Sequence, residues 1–189
     1  MVDEPRRRTA SETRDEILRV AIDLFTDSGF EGTSVRDIAR AVGITQSSLY
    51  YHFANKDEIV ATLMRDRVAE VHNLVEWIRE QPREAGLLRA SALRWIDRTT
   101  PERLKGMRLA QTNQPVIKRM SGTDMRSSFQ QVFDAILGPD ASSQERLYAR
   151  LVFDTVNATL SAARGTRVSD DDILAVARRA VLALTAQDG

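Results

Sequence analysis

GITQSSLYYHFANKDEI, residues 43–59, is the stretch on which the fold turns. A helix made only to fill a core would not begin with Gln46, Ser47 and Ser48. A solvated helix would not crowd Leu49, Tyr50, Tyr51 and Phe53 together. On a helical wheel Leu49 and Phe53 fall on one side, with Ile44 alongside. Ser47, Ser48 and Tyr51 fall on the other, flanked by Tyr50 and His52, and Gln46 lies in the first turn. Thr45 is placed to cap the helix and Gly43 to end the one before it. Hydroxyls, an amide and phenols on one open face suit phosphate oxygens, base edges and thymine methyls.

Upstream, Ser34 with Asp37 forms a capping-box pattern, and Val35, Ile38, Ala39 and Val42 form a buried stripe. Two short helices joined by Gly43-Ile44-Thr45 read as a helix-turn-helix. An amphipathic helix over 12–28 precedes them and stops at Gly29. Downstream, Asn55 and Glu58 cap a long helix that must end by Pro82. At about 25 residues it spans roughly 35–40 Å and reads as the only element that begins at the helix-turn-helix and runs into the C-terminal domain. Further helices are expected near 84–98, 101–111, 123–137, 143–164 and 170–186. No period-2 strand or Asn-Gly hairpin interrupts them. The expectation is an all-α chain of about nine helices. It divides into a flexible arm (1–11), a three-helix helix-turn-helix domain (12–54) and a helical ligand-binding and dimerisation domain (55–189).

Composition narrows the function. Lys+Arg and Asp+Glu are each 27, so net charge is zero, which argues against coating nucleic acid through bulk positive charge. Local contacts are not excluded, since screening acts over about 10 Å. Cysteine is absent, which rules out disulfides and thiolate chemistry and fits a reducing cytoplasm. The charged N-terminus lacks the apolar segment of a secretory leader, and no run is long enough to span a membrane. The expected location is cytoplasmic.

Lys56 breaks a local rule. It opens a capped helix, where the macrodipole disfavours a cation, while Asp57 and Glu58 obey the rule. Two readings stand side by side: convergence with backbone N–H groups on a phosphate, or a solvated lysine. The Arg6-Arg7-Arg8 run reads as a solubilising tail or as an arm beside the duplex.

Residues 29–60, GFEGTSVRDIARAVGITQSSLYYHFANKDEIV, resemble the DNA-binding domain of the tetracycline-repressor (TetR) family. The shared pattern is Gly-aromatic, Thr-Ser, Ile-Ala, a Val-Gly turn, Leu-Tyr-Tyr-His-Phe and Asn-Lys-Asp. The resemblance implies a homodimeric transcription factor, usually a repressor, that leaves a palindromic operator when a small molecule binds. It implies that Arg36 reaches phosphate or a base edge, and that Thr45, Gln46, Ser47 and Ser48 lie at the reading end. It further implies that Tyr50 and His52 touch backbone, that Tyr51 packs on sugar or thymine, and that Lys56 clamps phosphate.

For the rest of the chain, Trp77, Trp95, Met107, Arg108, Gln111, Phe129 and Phe133 are candidate pocket residues, since apolar walls with a few polar groups suit a small ligand. Small residues in the last two helices let helices approach closely. Ala158, Ser161, Ala162, Ala177, Ala180 and Leu184 are the candidate dimer interface. No cofactor or metal is expected; His72 and Glu76, one turn apart, make only two ligands. G-x-S-x-G, phosphate-loop and dinucleotide-binding motifs are absent, so no enzyme is expected. The alternatives are a DNA binder without an inducer, architectural or activating, and a small helical enzyme.

Overall fold

The computed structural model describes residues 8–112 and 124–187. Among them are ten helices and no strand: α1 (Ala10–Ser28), α2 (Val35–Val42), α3 (Gln46–His52), α4 (Lys56–Arg79), α5 (Leu87–Asp97), α6 (Pro101–Thr112), α7 (Asp124–Leu137), α8 (Ser143–Phe153), α9 (Thr155–Ala162) and α10 (Asp170–Leu184). No helix is long and apolar enough to cross a membrane among the described residues.

Local chemistry sets the boundaries. Thr9 and Glu12 form a reciprocal capping box, so α1 takes in Ala10 and Ser11 of the expected arm. Arg6 and Arg7 lie outside the described residues. Ser34 and Asp37 cap α2, and Gly43, at φ +77°, closes it in the left-handed region where a Cβ is disfavoured. The helix expected over 143–164 is two. At Asp154 (ψ 0°) the ladder is interrupted, and the Thr155 hydroxyl donates to the Val152 carbonyl at 3.1 Å in competition with it. The ladder resumes with Ala158 N–H on the Asp154 carbonyl. That break accounts for ten helices where about nine are expected.

Two apolar cores form. The first joins Ile17, Ala21 and Phe25 of α1 to Ile38, Leu49 and Phe53, and takes Ile59, Val60 and Met64 from α4. The second gathers Val71, Leu74, Val75 and Ile78 of α4 with Trp95, Met107, Phe133, Phe153, Leu160 and Val181. α4 thus belongs to both.

The structure corrects the expectation that α4 is the sole connection. α6 packs along α1: Lys105 Nζ donates to Asp23 Oδ1 at 2.5 Å, and Leu109 is buried in the first core. Gly106 lies at the contact, where a Cβ would stand 3.4 Å from Ile22 Cδ1. The signal is invisible in periodicity because it needs two segments 80 residues apart to touch.

Leu49 is fully buried and is the only buried residue of α3. Leu49→Ala is therefore expected to cost about 2–5 kcal/mol, read from the urea midpoint. A loss below about 1 kcal/mol would mean that α3 is not anchored this way.

Candidate nucleic-acid interface and ligand cavity

α3 is held from both ends. At its start the Thr45 hydroxyl accepts the Ser48 N–H at 3.1 Å. At its end Arg14 of α1 donates from Nη1 to the His52 carbonyl at 2.8 Å, with its guanidinium 4.1 Å from the centre of the Phe53 ring. A cation on a helix C-terminus is favourable, and this one also fixes the turn into α4. Sequence reasoning missed Arg14, because nothing in the spacing of α1 shows which carbonyl it will meet.

The remaining side chains of α3 are left open. Gln46 and Ser47 are exposed and Ser48 is half-buried. Tyr50 is 48% and Tyr51 82% exposed, the latter edge-on to the His52 ring at 5.2 Å. A phenol that open adds nothing to a core. Arg36 is exposed and makes no ion pair among the described residues, while Arg40 is bound to Asp37. The Ser34 hydroxyl and backbone N–H hold the Asp37 carboxyl below its ordinary range. This cap contributes above the ordinary carboxylate pKa and is lost as pH falls through the depressed one.

Lys56 makes intrachain contacts that neither reading of its sequence foresees. Its Nζ donates to the carbonyls of Phe30 and Thr33, each at 2.6 Å, and lies 4.4 Å from the Phe30 ring centroid. The ammonium is thus neither solvated nor free: it ties the first turn of α4 to the α1–α2 connection. Those carbonyls offset the unfavourable dipole. With two of its three donors engaged within the chain, the lysine is an internal strut in this structure.

A cavity of about 1060 Å³ opens in the second unit. Trp95, Met107, Gln111, Phe129 and Phe133 line it, as does Met64 of the first core. Two expected liners lie elsewhere. Trp77 faces a separate cleft under Arg94, 4.5 Å from its ring centre. Arg108 pairs with Asp170 at 2.5 Å. Arg67, not foreseen, joins the cavity wall. Among the expected interface residues, Ala177 is wholly buried within the chain and cannot meet a partner. It lies in the second core, so part of the small-residue pattern serves the monomer. Ala180 and Leu184 are half-buried, and Ala158, Ser161 and Ala162 are exposed; Ala158 and Ser161 line the cavity. The apolar side chains standing open nearby are Leu147, Leu151, Val176 and Leu182. His72 and Glu76 are both exposed, and Glu76 pairs with Arg79 at 2.7 Å.

Residues 17–63 match the profile of the bacterial regulatory proteins, tetR family. The N-terminal unit belongs to the TetR family. A relative of this TetR-family unit is the HTH-type transcriptional repressor KstR2 of Mycolicibacterium smegmatis, 47% identical over 53 residues, which is 28% of this chain and 26% of that protein. Another is the negative regulator IcaR of Staphylococcus epidermidis, 48% identical over 46 residues, or 24% of this chain and 25% of that protein. The matched stretch spans about a quarter of the length of these relatives. Solved structures share the fold over nearly the whole chain. KstR2 of Mycobacterium tuberculosis superposes with a TM-score of 0.66 at 23% identity, covering 92% of this chain and 93% of that one. The SmeT–triclosan complex gives 0.68 at 21% identity, covering 93% and 89%. The shared fold thus extends through α10.

Replacing Lys56 with Met should lower stability by about 1–3 kcal/mol, the cost of leaving two carbonyls without their charged donor. Chemical denaturation reads it. A variant as stable as the parent would show the strut to be idle and return the lysine to the solvent side.

Proposed function

We propose that this chain is a sequence-specific DNA-binding transcriptional repressor. It works as a homodimer on a two-fold site and is released when a small molecule fills the cavity. The observation that carries this reading is the open polar and aromatic face of α3, anchored behind by Leu49 and Phe53 and leaving Gln46, Ser47 and Tyr51 uncommitted. The repressors named above share that unit. Gln46 and Ser47 lie in the first turn, the end that meets base edges when such a helix enters the major groove. Arg36, Tyr50 and His52 flank it as backbone contacts. The expected phosphate role of Lys56 passes to the exposed backbone at the start of α4, which the lysine strut positions.

The cavity favours an induced repressor over a constitutive DNA binder. Its volume suits a small organic molecule, and its walls include residues of α4 (Met64, Arg67) and α6 (Met107, Gln111), two helices that also enter the first core. A ligand that shifts either helix disturbs the mutual placement of two recognition helices, which must sit about one DNA turn apart. A coupling of about 1–3 kcal/mol is enough to release the operator.

Two measurements test the reading. Gln46→Ala should relax preference at a single base position in each half-site by about 1–3 kcal/mol while leaving the others intact. Uniform weakening at every position would make Gln46 a backbone contact. Sedimentation at micromolar concentration should show a dimer; a monomer bound to one half-site alone would remove the two-fold arrangement.

A further inference from the structure

The cavity wall carries a charge that the chain does not complete. Arg67 projects from α4 with 15% of its side chain exposed, and its Nη1 is covered and donates no hydrogen bond. The carboxylate beside it, Glu70, stands 3.9 Å off with Oε2 also lacking a hydrogen bond, and its Oε1 accepts from Arg103 at 2.7 Å. Two guanidiniums therefore share one carboxylate, which leaves one positive charge over in a largely dry place. Burial pushes the Arg67 guanidinium below its ordinary pKa, against the opposing pull of Glu70. Such a group is costly unless something pairs with it.

The surroundings have the same sign. Arg67, Arg150 and Arg164 line the cavity and Asp154 is the carboxylate among its lining residues. Arg150 donates to Gln130 Oε1 at 2.8 Å, Arg164 reaches Gln111 Oε1 at 3.3 Å, and Asp154 accepts from Asn157 at 2.9 Å, so these three have partners. Arg67 does not have an equivalent one. Beside it lies an apolar body of wall: the Trp95 ring 5.4 Å from the guanidinium carbon, then Phe129 edge-on to Trp95, with Met64 and Met107. A planar guanidinium at the end of an apolar, aromatic chamber matches a carboxylate on an apolar skeleton, which a guanidinium binds through two parallel N–H groups.

We propose that the cavity takes an organic monocarboxylate with an apolar body, and that Arg67 is the residue that selects it over neutral molecules of the same shape. The proposal rests on the reading of the cavity as the ligand site of a repressor and names its ligand class. It also places the charge contact on α4, one turn beyond Met64, which is buried in the first core. Pairing at Arg67 thus acts on a helix whose start carries the strut to the DNA-binding unit.

The test uses two pairs of probes on the full chain: dodecanoate against dodecan-1-ol, and 2-naphthoate against 2-naphthylmethanol. Binding is measured by calorimetry. At least one carboxylate should bind tenfold or more tightly than its neutral counterpart. Arg67→Met, or Arg67→Gln should the first not fold, should abolish that preference while the neutral probe still binds. Without ligand, Arg67→Met should also melt at a higher temperature, because an incompletely paired buried charge is gone. Equal binding of acid and alcohol, failure of all four probes to bind, or a preference that survives both variants would overturn the proposal. So would a lower melting temperature with an unchanged preference, which marks an internal ion pair with Glu70. Operator affinity is measured in the same samples. A carboxylate that binds through Arg67 without weakening DNA binding leaves this proposal standing and removes the release mechanism. Release by a neutral probe alone does the reverse.

Discussion

Ile59, Val60 and Met64 bury the first turns of α4 in the core that carries α3, and Val71, Leu74, Val75 and Ile78 bury its later turns in the second core. A rigid 24-residue rod anchored at both ends cannot shift at one without loading the other. α6 repeats the arrangement from the opposite side, with Leu109 in the first core and Leu104 and Met107 in the second. The cavity lies against both rods. The rest of the structure follows from that double anchorage: α3 is placed by what lies behind it, and what lies behind it reaches the cavity wall.

The helix-turn-helix unit is held together by groups that point inward. Arg14 closes the end of α3, Lys56 closes the α1–α2 connection, and the Thr33 hydroxyl donates to the Gly29 carbonyl at 2.9 Å inside that connection. Arg14 answers a carbonyl that the end of α3 leaves open, and Lys56 and Thr33 answer carbonyls of the connection itself. With the loose ends satisfied internally, the outward side chains of α3 have no structural duty, and Tyr51 can stand in solvent. This division matters for reading mutations. Loss of Lys56 or Arg14 acts first on the shape of the unit.

Much of the fold was legible because it rests on local rules. Capping residues at Ser34, Thr45, Asn55, Ser142 and Ser169 all bond as their spacing implies, and Gly43 adopts the left-handed conformation its position calls for. The face of α3 was legible for the same reason, since one helical turn separates Leu49 from Phe53. What escaped depends on which distant segments meet. The Lys56 strut, the α1–α6 contact and the Arg67 site each join residues 20 or more positions apart or depend on how several helices close. Ala177 shows the limit of composition: a small residue lets helices approach, but it does not say whether the second helix is in the same chain. The break at Asp154 needed the Thr155 hydroxyl to choose the backbone over the next turn, a choice that periodicity cannot register.

The central claim is that two copies of α3, fixed from behind, read DNA as a symmetric pair. Selection of bound sequences from random duplex DNA by the full chain addresses it most directly. An inverted repeat with half-site centres about 10 base pairs, or a whole number of helical turns, apart is the predicted result. Enrichment of an unsymmetric site, or none beyond the input, would contradict the account.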